Sequence, residues 1–265
     1  MIRALTLFLC LIGTAALSES MKLAVTTSFH NSGLSDVLLP VLLEETGLEV
    51  QLIIVGTGQA LRLGRAGDVD AILVHSRADE DVFVAEGFAP YRREIMYNDF
   101  VFIGPSSDPA GIANAASIEQ VLSRIAIEQA LFVSRGDDSG THKKERALWQ
   151  AAALGTETFG AWYKAVGSGM GASLNTASAL NAYILADRAS WLNFRNKSDL
   201  KLLSSRHPEL FNQYAYLPIN PDKHPHVNVE ASQLFENWLT SSRSEHLINA
   251  HKINGEALFV FNASK

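Results

Sequence analysis

Residues 132–145, FVSRGDDSGTHKKE, carry the densest set of groups able to do chemistry. The run joins an apolar, strand-like segment to a polar turn and then to a helical pattern. The turn holds Arg135, the hydroxyls of Ser139 and Thr141, and Gly140 where a helix should begin. A helix N-terminus presents unpaired N–H groups and a partial positive charge. A guanidinium beside it adds a planar fork of donors. Together they make a receptor for a small oxyanion. The same residues also suit an ordinary N-capped helix with a surface Arg, so the rest of the chain must decide.

Two more loops share this logic. Thr26, Thr27 and Ser28 follow a strand pattern over 22–26, and Gly56, Thr57 and Gly58 follow another over 48–55. Each precedes a helical pattern. Leu34, Val37, Leu38, Val41 and Leu42 mark the first helix, with Pro40 inside it and Gly47 at its end. A third strand over 69–75 completes a β-α-β-α-β series, which specifies a parallel sheet with helices on its faces. Right-handed crossovers put the loops after successive strands at one sheet edge. Residues 95–105 read as a strand ending at Gly104-Pro105. Helical patterns follow over 108–130 and 140–154, with a strand over 131–134 between them. A glycine-rich loop over 167–171 leads into another helical segment, 214–219 are extended, and 228–253 are helical again.

The strand-like stretches near 98–104 and 214–220 flank a central α/β block. The chain therefore reads as crossing into a second lobe and returning. Residues 19–104 with 215–265 form one expected lobe and 105–214 the other. The alternative is a single wide doubly wound sheet. The expected class is α/β, a two-lobed fold with a ligand cleft between the lobes.

The chain has 265 residues, 47% of them hydrophobic, enough for a substantial core. The net charge of -6, with no long Lys/Arg block, argues against nucleic acid or an anionic membrane as partner. An anion must then be drawn by local dipoles. Residues 1–18 have the layout of a signal peptide: Arg3, a short apolar stretch, and small residues at Ala16 and Ser18. Cys10, the only cysteine, falls inside that segment, so the exported chain has no thiol chemistry.

Eight pieces in order then match a family: VTTSFHNSGL, VGTGQAL, GDVDAILVHS, MYNDFVFIGP, FVSRGDDSGTH, Trp162-Tyr163, GSGMG and AYILADR. Together they cover the chain beyond residue 18, which resembles the periplasmic tungstate-binding proteins of bacterial ABC importers. The resemblance implies a type II-like periplasmic-binding fold that closes on tungstate, sometimes molybdate. It implies delivery to a membrane permease with a cytoplasmic ATPase, no cofactor and no catalysis; we expect a monomer. Matched position by position, it assigns ligand binding to Thr27, Ser28, Thr57, Gly58, Arg135, Ser139, Gly140 and Thr141. Val25, Phe29 and Ala186 depart from it, standing where the family often has Thr.

Other groups have two readings. His75 can donate to the anion or satisfy a strand end, the second being favoured. Gly169, with Met170 and Gly171, can offer another helix N-terminus or simply make a tight loop. Arg188 is expected to pair with Asp187, with direct ligand contact as the alternative. Asp137 and Asp138 are expected to divide two tasks, one holding Arg135 and the other capping the helix; a metal role lacks further ligands. Asn98 and Asp99 are expected to order the crossover. The rival function is an exported hydrolase with Ser139 as nucleophile, which needs a base that no spacing reports.

Overall fold

The computed structural model describes residues 19–264. The signal-peptide reading and Cys10 lie outside the described residues. In chain order the elements are β1 (Ser20–Thr26), α1 (Thr27–Asn31), α2 (Leu34–Thr46), β2 (Glu49–Val55), α3 (Thr57–Ala66), β3 (Ala71–Val74), α4 (Arg77–Ala85) and β4 (Arg93–Pro105). The middle of the chain gives α5 (Ile118–Ile127), β5 (Phe132–Ser134), α6 (Gly140–Ala151), β6 (Tyr163–Ala165), α7 (Met170–Leu180), β7 (Tyr183–Asp187), α8 (Arg188–Asn193) and β8 (Leu200–Ser204). Then come β9 (Phe211–Pro218), α9 (Val229–Leu239), α10 (Ser242–Ala250), and the short strands β10 (Lys252–Ile253), β11 (Glu256–Ala257) and β12 (Val260–Phe261).

One long strand organises the sheet. Over Arg93 to Asp99, β4 pairs antiparallel with β9; over Phe100 to Ile103 it pairs antiparallel with β7, and β8 lines its other edge. The first half therefore runs β2-β1-β3-β9-β4 and the second β6-β5-β7-β4-β8. These are the same topology twice. In each half the first-formed strand lies between two parallel neighbours, and the fourth strand in space is antiparallel. The repeat places the loops leaving β1 and β2 in correspondence with those leaving β5 and β6.

Burial follows the periodicities. Leu34, Leu38 and Leu42 bring one face of α2 against β1 and β3, in a core that continues to Val133, Leu174 and Ile184 of the second half. The opposite face of the first half packs Leu61, Ile72 and Phe83. That of the second packs Phe132, Trp149 and Tyr183. Pro40 sits inside α2, which continues to Gly47, a left-handed residue with φ 73°. The helical pattern read over 108–130 shrinks to α5, capped by the Ser117 hydroxyl, because Asp108 and Gly111 take positive φ before it. Asn228, whose side chain accepts from Ala231 N, starts α9.

Candidate functional site

Four helix N-termini open onto one cavity of about 1060 Å³ between the two halves of the sheet. They are those of α1 after β1, α3 after β2, α6 after β5 and α7 after β6. The residue before each helix is extended, with ψ of 151°, 158°, 169° and 164° at Thr26, Gly56, Ser139 and Gly169. This cap geometry leaves first-turn N–H groups without intrahelical acceptors. Thr27, Ser28, Thr57, Gly58, Arg135, Ser139, Gly140 and Thr141 all line the cavity, as do His75 and Gly169. The repeated topology explains why α7 joins the other three helices: β6 occupies in the second half the place of β2 in the first.

Thr27–Asn31 form a short helix, α1, directly after β1. Thr26 caps it, its hydroxyl accepting from Phe29 N at 3.3 Å. The Ser28 hydroxyl, in the first turn, lies 3.0 Å from Thr26 Oγ1, 3.1 Å from His75 Nε2 and 3.0 Å from the Tyr214 hydroxyl. Burial lowers the His75 pKa to about 4, so the ring is neutral at physiological pH. Val25, Phe29 and Ala186, the departures from the resemblance, are core residues and do not line the cavity.

The Arg135 turn is held from two sides. Ser168 N donates to Arg135 O at 3.1 Å, which docks the turn on the loop before α7. Gly136 has φ 61°, and a Cβ there would lie 2.9 Å from Ala165 Cβ, so both conformation and space require glycine. One Asp137 oxygen accepts from Arg135 Nη2 at 2.5 Å and the other from Ser139 N at 3.2 Å. Burial works against ionising Asp137, but Ser139 and Arg135 outweigh it and hold the carboxyl below its usual range. The cap of α6 is not the expected second aspartate. Ser139 fills that place, accepting from His142 N at 3.3 Å. Asp138 instead takes φ 57° and donates its backbone N–H to His142 Nδ1. Among the described residues the Ser139 hydroxyl is engaged by this cap bond and by the Asp137 carboxylate, and no hydrogen bond joins it to an imidazole nitrogen, the contact a serine nucleophile needs.

Arg188 does not reach the cavity and does not pair with Asp187. Its Nε and Nη2 donate to the two oxygens of Asp99, each at 2.6 Å, fastening α8 to the middle of β4. Asp187 lines the cavity but is spent as the cap of α8, accepting from Ser190 N at 2.8 Å, and burial raises its pKa. Asn98 accepts from Asn212 Nδ2 at 2.8 Å, joining β4 to β9 at the crossover. Asn31, Arg62, Lys143 and Ser190 also line the cleft. Sequence reasoning passed over them because each looks like an ordinary polar helix residue. Among the described residues no three of His, Cys, Asp and Glu cluster as a metal site, and no helix is long and apolar enough to cross a membrane.

Comparison with known proteins agrees with this architecture. Residues 13–243 match the model of the PBP superfamily domain. The tungstate-binding protein TupA of Peptoclostridium acidaminophilum is 42% identical over 250 residues, covering 93% of this chain and 87% of the relative. The solved tungstate-binding protein TupA from Desulfovibrio alaskensis G20 superposes with a TM-score of 0.87 at 40% identity, over 93% of this chain and all of that one. The solved tungstate ABC transporter protein from Geobacter sulfurreducens gives 0.78 at 44% identity, over 87% and 97%. The first two are named as tungstate-binding proteins and the third as a tungstate ABC transporter. The chain belongs to the PBP superfamily and, within it, to the family of periplasmic tungstate-binding proteins.

Proposed function

We propose that this protein captures a tetrahedral oxyanion, tungstate first and molybdate second, and hands it to the permease of an ABC importer powered by a cytoplasmic ATPase. The observation that carries the reading is the convergence of four helix N-termini and the Arg135 guanidinium on one cleft. The names of the relatives supply the cargo. Thr27, Ser28, Thr57, Gly58, Arg135, Ser139, Gly140 and Thr141 form the proposed ligand set, with Gly169 offering the fourth N-terminus. Backbone N–H groups, hydroxyls and one guanidinium replace the water around a dianion. Both Asp137 oxygens are engaged, by Arg135 and by Ser139 N, and one Asp187 oxygen is engaged as the cap of α8.

Selectivity follows from donors and size. Tungstate reaches the cleft as a bare dianion near neutral pH, whereas phosphate often carries a proton that needs an acceptor. A cleft of donors therefore favours tungstate, molybdate and sulfate. Cavity size then separates the first two from the smaller sulfate. Closure is a population shift from open to closed lobes, with the hinge on β4 and β9 and the lobe boundary near residues 104 and 215. The mature protein is an exported, periplasmic monomer released from the signal peptide at residues 1–18.

Calorimetric titration of the purified protein with tungstate, molybdate, sulfate and phosphate tests the reading. We expect the first two to bind more tightly than the others by at least about tenfold, a difference of roughly 1.4 kcal/mol. Equal or absent binding of all four anions would reject it.

A further inference from the structure

Ser28 sits among more hydrogen-bonding neighbours than one hydroxyl can serve alike. It carries one proton and two lone pairs. Tyr214 is fully buried, and its hydroxyl lies 3.0 Å from Ser28 Oγ, with the Thr26 hydroxyl and the Asn98 side chain also within its reach. Donation from Tyr214 to Ser28 Oγ satisfies the buried phenol proton and fills one lone pair. The neutral His75 ring carries a single proton. Its Nδ1 is buried and without a partner. A proton on Nε2 meets Ser28 Oγ at 3.1 Å. The imidazole fills the second lone pair.

We propose, resting on the oxyanion reading above, that Tyr214 and His75 are positioning residues that occupy both lone pairs of Ser28 and so reserve its proton for the ligand. Thr26 Oγ1, already the acceptor for Phe29 N, holds that proton until an anion arrives. Ser28 then cannot turn round to accept from a protonated ligand. The arrangement penalises hydrogen phosphate and favours fully deprotonated dianions. A hydroxyl fixed by two internal donors also has less freedom to lose on binding.

A double-mutant cycle tests the assignment, with tungstate affinity measured by calorimetry and the fold checked by melting of the ligand-free protein. Tyr214→Phe and Ser28→Ala should each weaken tungstate binding about tenfold, the loss of one hydrogen bond to a charged ligand. The double variant should be no weaker than Ser28→Ala alone, because Tyr214 acts through Ser28. Tyr214→Phe should also narrow the preference for tungstate over hydrogen phosphate. Losses that add in the double variant would overturn the proposal. So would nitrogen-15 NMR of the unaltered protein showing the His75 proton on Nδ1. Unaltered protein that binds no oxyanion would instead defeat the oxyanion reading, and the proposal with it.

Discussion

Lys143 on α6 meets Asp79 on α4 at 3.0 Å, so an ion pair ties the two halves of the sheet together beside the cleft. The Ser76 hydroxyl holds the same Asp79 oxygen at 2.8 Å, which fixes the acid before Lys143 arrives. Ser76 and Lys143 outweigh partial burial and hold the Asp79 pKa below its usual value. Both side chains keep more than a third of their surface exposed, so the pair is a weak clasp. Lys143→Met should raise the dissociation rate of bound tungstate about two- to fivefold, in line with the modest worth of exposed pairs. The association rate should change less. The exchanged pair, Asp79→Lys with Lys143→Asp, should recover most of the loss in stopped-flow displacement. A dissociation rate unmoved by Lys143→Met would mean that the clasp is idle in solution.

Arg135 should dominate affinity. Its guanidinium lines the cleft and is held by Asp137, so it is ordered before a ligand enters. Arg135→Ala should weaken tungstate binding by at least about tenfold, the loss of one or more charge-assisted hydrogen bonds. Secondary structure by circular dichroism should stay unchanged, because the side chain belongs to none of the three cores. Arg135→Lys should recover little, since an ammonium cannot reproduce the fork. Calorimetry showing full affinity in Arg135→Ala would remove this residue from the site.

Gly140 opens α6 directly against His75. A Cβ there would stand 2.9 Å from His75 Cε1, on a ring whose Nε2 lies 3.1 Å from Ser28 Oγ. His75 follows β3 in the first half and Gly140 follows β5 in the second, so the added methyl acts as a wedge between the halves. Gly140→Ala should weaken tungstate binding about tenfold or more, the price of keeping two surfaces from their closed contact. The ligand-free melting temperature should move by less than about 4 °C, the shift expected from 1 kcal/mol in a chain of this size. Wild-type affinity in the variant would show that the two loops are not in contact when ligand is bound.

Much of the cavity lining was legible in the sequence because the chemistry of the candidate site is local. A cap hydroxyl, a first-turn glycine and a nearby Arg all lie within a few residues, so the loops at Thr27, Thr57 and Ser139 declared themselves. The long-range partners did not. Tyr214 read only as part of an extended stretch, and nothing in its surroundings points to Ser28, 186 positions away. Arg188 and Asp187 looked like a pair because they are adjacent, yet consecutive residues leave a strand end on opposite faces. One faces Asp99 and the other caps α8. The repeated topology was hidden because β5 and β6 have only 3 residues each, too few for an alternating pattern. β8 escaped notice for a related reason: its sequence, LKLLS, is as compatible with a turn of helix as with a strand.

Glu145 makes stability depend on pH in a direction opposite to that of an ordinary surface acid. It lies on α6, 3% exposed, below the Arg135 turn. Tyr163 donates to it at 2.6 Å and Trp149 Nε1 at 3.3 Å. Burial pushes its pKa up to about 7 from 4.5, against the pull of those hydrogen bonds. The folded protein therefore holds this proton more tightly than the unfolded chain does. Below about pH 4.5 both states are protonated and folding bears no cost from this group. As pH rises from there the unfolded chain gives up the proton first, so stability declines, and it levels off above about pH 7. The total decline is at most about 3 kcal/mol, at 1.36 kcal/mol per pKa unit. Glu145→Gln keeps acceptor oxygen for Tyr163 and Trp149 and removes the titration. Urea unfolding should show the variant gaining on wild type from about pH 5, with a gap that widens up to about pH 7 and then levels off. A constant gap would place the Glu145 charge in contact with solvent, and would require the Tyr163–Glu145–Trp149 cluster to open around it.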